Sequence, residues 1–177
     1  VLKIMVIFGA LIFFTIGNAT SISNDHPVTN GFRIAIGNGY WSMRQNKADV
    51  LTQTYNTDRS DYYVQDLDYG WMFGTDNWQS VHYGAGVRIY NFIKNNGNAV
   101  LPVPELYLSK YLSQNLSLVA NFGSLIYLYD IGLGSAYNLN RHLSVSIQAQ
   151  YMPSIAIMGH NHNINGLGVL VGLTWMA

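Results

Sequence analysis

The chain contains no cysteine. That excludes disulfides, thiolate metal sites and a cysteine nucleophile, and it is compatible with export. Charge is scarce too: Asp, Glu, Lys and Arg make up 10% of 177 residues, against about 25% in an average soluble domain. The two signs balance at nine each, so no basic footprint for nucleic acid is present. Glutamate occurs once, as Glu105. The one long apolar run, Ile4 to Ile16, is broken by Gly9 and Thr15. It falls short of the roughly 20 residues a spanning helix needs. Aromatics and glycine are plentiful instead, with 13 Tyr and 17 Gly. Few charges with much Tyr and Gly suit a sheet that meets lipid outside and closes tightly inside.

The apolar run has another use. Lys3 precedes it, and Gly17-Asn18-Ala19 follows with small residues at the positions a signal peptidase reads. A signal peptide over residues 1–19 is expected, with a transmembrane anchor as the alternative. Residues 20–30 are polar, carry Pro27, and read as an extended leader. Residues 31–177 form the one folded unit expected at this length.

That unit is organised by period-2 alternation, which puts successive side chains on opposite faces of a strand. Its last quarter shows it best. Leu143, Val145, Ile147, Ala149 and Tyr151 alternate with Ser and Gln, and Leu167, Val169, Val171, Leu173 and Trp175 with smaller residues. The same pattern predicts eight strands: Gly31–Ser42, Tyr62–Phe73, about Trp78–Ile93, Leu101–Leu112, Leu116 to about Tyr127, about Tyr129–Leu139, and the final two. Pro102 and Pro104 weaken the start of the fourth. Short turns are expected at 74–77, 113–115 and 140–141. Longer loops are expected at Met43–Asp61, 94–98 and 159–165. The connection near Leu125–Tyr129 has no clear turn residue.

Short turns at one end and longer loops at the other predict an all-β, eight-stranded antiparallel up-and-down transmembrane barrel. The charges agree. Arg33, Asp66, Asp68, Arg88, Glu105 and Asp130 fall in mid-strand on the polar face, with His82. Eight strands close around an interior just wide enough for packed side chains, where charges of both signs must pair. These seven residues are therefore read as a lumen network that plugs the barrel or lines a narrow polar path. Tyr40, Trp41, Tyr62, Trp71, Trp78, Tyr137 and Trp175 sit near strand ends and are read as interfacial girdles. The alternative is a soluble secreted sandwich or lipocalin-like barrel, whose outer face should carry more charge.

Gly172-Leu173-Thr174-Trp175 resembles the closing strand of outer-membrane β-barrels that the barrel assembly machinery recognises. The hairpin Tyr137 to Val145 resembles the periplasmic hairpin of the OmpA-like, OmpX-like and opacity-protein group of small barrels. Leu173 stands where that pattern has an aromatic, and Met176-Ala177 follows the terminal Trp175. The resemblance implies a monomer in the outer membrane of a Gram-negative cell, in contact with lipid and lipopolysaccharide. It extends to the barrel alone, so no peptidoglycan-tethering role is expected. A structural or surface-interaction role through the loops follows, with Met43–Asp61 the foremost. A narrow channel and a lipid A-modifying enzyme of the same architecture are the alternatives.

The enzyme alternative meets its test at Tyr151-Met152-Pro153-Ser154. Lipid A deacylases of this architecture carry a His-x-Ser-Asn motif on the seventh strand; here the His is missing and Pro153 intrudes. A serine nucleophile needs a base within reach. A palmitoyltransferase-like rim site would have to draw on Ser154 with His160 or His162. His160 and His162 could also be read as a metal pair, but two ligands do not make a site. No catalytic residue, metal or cofactor is expected.

Overall fold

The computed structural model describes residues 26–49, 54–94, 97–125, 128–153 and 162–177. The expected signal peptide, its cleavage site, the start of the leader, Ser154 and His160 lie outside the described residues. Eight strands follow in order: β1 (Gly31–Asp49), β2 (Thr54–Phe73), β3 (Val81–Lys94), β4 (Gly97–Tyr111), β5 (Leu116–Leu125), β6 (Leu128–Asn138), β7 (Leu143–Pro153) and β8 (His162–Met176). Each pairs antiparallel with its sequence neighbour, and β8 returns to β1, so the sheet closes into an up-and-down barrel.

One line of register partners shows how the closure works. It runs Phe32, Trp71, Ala85, Leu106, Phe122, Ile131, Tyr151 and Leu167, and comes back to β1 at Ser42. The ladder has climbed ten residues in one turn. Such a stagger is the geometric companion of strands tilted by roughly 35–45°. Every side chain on the line from Phe32 to Leu167 is apolar, and most are strongly exposed. The outside of the barrel is its greasy side.

The strands are longer at one rim than the alternation indicated. The expected loop Met43–Asp61 is largely ladder: β1 and β2 pair from Met43↔Ser60 to Asp49↔Thr54. On its other edge β1 continues against β8 up to Lys47↔His162. Backbone hydrogen bonding between two polar strands leaves no apolar alternation to read, so this extension looked like loop. The opposite wall is low. β5 ends at Leu125 and β6 starts at Leu128, and these two residues are register partners where the alternation shows no turn. β4 pairs with β5 only from Glu105↔Gly123 to Tyr111↔Ser117. Above that lie Pro102 and Pro104, which have no N–H to give to a neighbour. β4 begins at Gly97 rather than Leu101, and β3 at Val81 rather than Trp78.

The far end is held by short turns and by the tail of the leader. Val28 N–H donates to the Arg141 carbonyl at 2.9 Å, and Thr29 Oγ1 donates to the Thr75 carbonyl at 3.1 Å. Residues 26–30 thus run beneath the barrel along the short turns.

Candidate functional site

The lumen is stratified. Its middle layer is ionic, and Asp68 on β2 is the hub. Arg33 from β1, Arg88 from β3 and the Tyr107 hydroxyl from β4 all donate to its carboxylate. Asp68 is fully buried, so these donors replace the water it gives up. Arg88 reaches further. Its Nη2 lies 3.2 Å from Asp68, and its Nε 3.5 Å from Asp66 and 3.4 Å from Glu105. Its Nη1 donates to the Tyr90 hydroxyl at 3.2 Å, and Tyr90 in turn donates to Asp130. The Asn121 amide closes the circuit, donating to Glu105 at 3.2 Å and to Asp130 at 3.4 Å. The Gln150 amide lies 3.1 Å from Asn121 and 2.8 Å from Gln148. The Arg33 guanidinium also lies 4.4 Å over the Tyr107 ring. Six of the seven lumen residues proposed from sequence meet in this layer.

His82 does not join them. It faces inward nearer the short turns, where its ring nitrogens meet the Trp78 carbonyl at 3.0 Å and the Thr75 N–H at 3.4 Å. It packs edge-on to Tyr111. Trp78 covers this mouth, lying between His26, which stacks on it, and Tyr111. Between this cover and the ionic layer is a cavity of about 60 Å³, lined by Arg33, Tyr107, Ser117, Ser146, Gln148 and Thr174 among others. It has room for a few waters with polar partners on several sides.

On the long-loop side of the ionic layer the lumen turns apolar. Trp41, Val64, Tyr90, Phe92, Val103, Met152 and Leu170 form one buried cluster, with Met43, Tyr62 and Leu101 packed against it. Trp41 is its centre, edge-on to Tyr90 and Phe92 at 5.7 and 5.8 Å. Its indole lies flat against β8 over Gly166 and Gly168. A Cβ at residue 168 would come within 2.6 Å of the ring. This stopper was not expected. The signal was available: Val64, Phe92, Val103, Met152 and Leu170 all sit at inward positions of the alternation.

Three of the aromatics read as girdle residues therefore need correction. Trp41 has 0% exposure and faces the lumen, as its odd number beside outward Tyr40 requires. Tyr62 also points in, against Phe92. Trp78 caps the short-turn mouth. The others do face out. Tyr40 and, in addition to the expected girdle residues, Tyr151 are exposed toward the long-loop side. Trp71, Phe73, Tyr83, Tyr137 and Trp175 are exposed toward the short turns. Between these rings the outward positions are mainly Ile, Leu, Val, Ala and Phe, with Tyr69, Pro102, Pro104 and a few neutral polar residues. On β8 the band runs from Leu167 to Trp175. At about 3.3 Å per residue and a tilt of about 40°, that is roughly 20 Å of thickness. A membrane barrel's apolar band is about 25 Å tall.

The residues of the enzyme alternative fall elsewhere. Met152 belongs to the stopper and Pro153 ends β7. His162 opens β8 as the register partner of Lys47.

No protein-family model and no curated protein matches the chain. Among solved structures it is similar to Neisserial surface protein A, at 8% identity and a TM-score of 0.49, over 81% of this chain and 97% of that one. It is similar to Ail of Yersinia pestis, solved with the heparin analogue sucrose octasulfate, at 12% identity and a TM-score of 0.30, over 82% and 98%. It is also similar to the monoaromatic hydrocarbon channel CymD, at 10% identity and a TM-score of 0.38, spanning 83% of this chain and 48% of CymD. The fold itself stands on the closed register.

Proposed function

We propose that the protein is a non-conducting outer-membrane barrel that carries the raised β8–β1–β2 wall outside the membrane as a surface-interaction element. The observation that supports it most is the inversion of the molecule. A continuous apolar band with aromatic rings at both margins surrounds a charged, hydrogen-bonded lumen. In water that arrangement would expose a far larger apolar patch than soluble proteins tolerate. In lipid it satisfies every strand, because a closed barrel has no edge. The stopper and the ionic layer lie in series along the lumen, which favours a sealed barrel over the channel alternative.

The absence of cysteine supplies a clean test. Thr57 lies in the raised part of β2 and Asn77 in a short turn; both are exposed. A Thr57→Cys variant should react with a membrane-impermeant maleimide in intact cells. Asn77→Cys should react only after the envelope is opened. Equal labelling of both in intact cells, or recovery of the protein in the soluble fraction without a heat-dependent gel shift, would overturn the reading.

A further inference from the structure

Arg44 and Arg59 are register partners on β1 and β2. Both are exposed and point outward: Arg44 follows Tyr40 and Ser42 in the outward series, and Arg59 Nε donates to Ser42 Oγ at 2.9 Å. Like charges directly opposite each other across a ladder are destabilising. One acid relieves only part of this. Asp61 Oδ1 lies 3.5 Å from Arg59 Nε, and both side chains are largely in solvent. Arg44 has no ion pair or hydrogen bond among the described residues. On its other side its partner is the neutral, exposed Asn165 of β8.

Position gives this pair its meaning. One outward step down β1 from Ser42 is Tyr40; two outward steps down β2 from Arg59, past Asp61, is Tyr63; and one outward step from Asn165 on β8 is Leu167. Tyr40 and Leu167 are strongly exposed, and below them Ile36, Leu67, Val169 and Val171 continue the apolar band. Two guanidinium groups thus stand just beyond the aromatic ring of the long-loop margin, over a surface fit for acyl chains. Guanidinium forks match phosphate oxygens in geometry and charge.

We infer that Arg44 and Arg59, with the Asn165 amide beside them, bind the headgroup phosphate of a membrane lipid in the outer leaflet. The acyl chains then lie along Tyr40, Leu167 and Val169. The inference rests on the membrane reading above, and its experiment keeps the two apart. Purified barrel in detergent is loaded with bis-phosphorylated lipid A, or with the same lipid after phosphate removal, and retained lipid is read by native mass spectrometry. The wild-type chain should retain the phosphorylated lipid. The Arg44→Gln/Arg59→Gln double variant should lose at least about tenfold of that retention, from the loss of two cations at the membrane surface. Arg44→Lys/Arg59→Lys should keep part of it. Lys110→Gln, changed at the short-turn margin, should bind like wild type. A folded, heat-modifiable double variant that retains the lipid fully, or wild-type binding indifferent to phosphate, overturns the site alone. A wild-type chain that stays soluble without detergent and shows no heat-dependent gel shift overturns the membrane reading itself.

Discussion

The lumen holds two fillings that solve one problem by opposite means. Near the long-loop rim the space is filled by Trp41, Phe92, Met152 and their neighbours, which are held by shape and leave the Trp41 indole N–H without a hydrogen-bond partner among the described residues. In the middle it is filled by charges that must each find a partner. The stopper is a packing solution and tolerates graded loss. The ionic layer is a satisfaction solution, and removing one member leaves others buried without their counter-charge. Buried ion pairs gain little over well-packed apolar groups, yet breaking one is costly. The two layers should therefore fail differently.

The largest effect is expected in the ionic layer. Arg88→Leu strips a cation from beside Asp66, Asp68 and Glu105 at once. A loss of roughly 3–5 kcal/mol is expected, seen as a lower urea midpoint for the heat-modifiable form. If Arg88→Leu unfolds like wild type, the layer is not a coupled network. Second is Trp41→Ala, at about 3 kcal/mol. Its distinctive outcome lies in the combination: in planar bilayers the Trp41→Ala barrel should stay silent while the ionic layer holds, and Trp41→Ala with Arg88→Leu should pass small ions. A combined variant that folds and stays silent would show that the two layers are not the seals. The smallest is Gly168→Ala, whose added methyl meets the Trp41 ring. Overpacking of this kind costs about 1–2 kcal/mol and should shift the Trp fluorescence without opening the lumen.

The contrast between the two layers also explains what could be read from sequence. Mid-strand charges such as Arg33, Asp68 and Arg88 announce themselves, because a charge on a strand in so apolar a chain has to be accounted for. Val103 or Leu170 on the inner face is marked only by its parity in the alternation, since an apolar residue by its type fits either side. Trp41 departs from its expected place for a related reason: an aromatic at a strand end suggests a membrane margin, and only its parity against Tyr40 sends it inward. Strand number and closure were legible from the alternation and the turns. The height of the β1–β2 wall was not, since polar strands paired in water lack the apolar period that marks the rest. The cationic pair Arg44–Arg59 needed the register, which brings together two residues from what read as one loop.

The closing joint and its opposite are also unlike. β1 and β8 are laced from Arg33↔Met176 to Lys47↔His162, while β4 and β5 are joined only below Glu105↔Gly123. Counting around the ring, these joints lie across a diameter from each other. The barrel is thus a hoop firmly clasped where the chain's first and last strands meet, with its give on the far side. Under lateral strain in the bilayer, it should flex at Pro102 and Pro104 and stay fastened at the clasp.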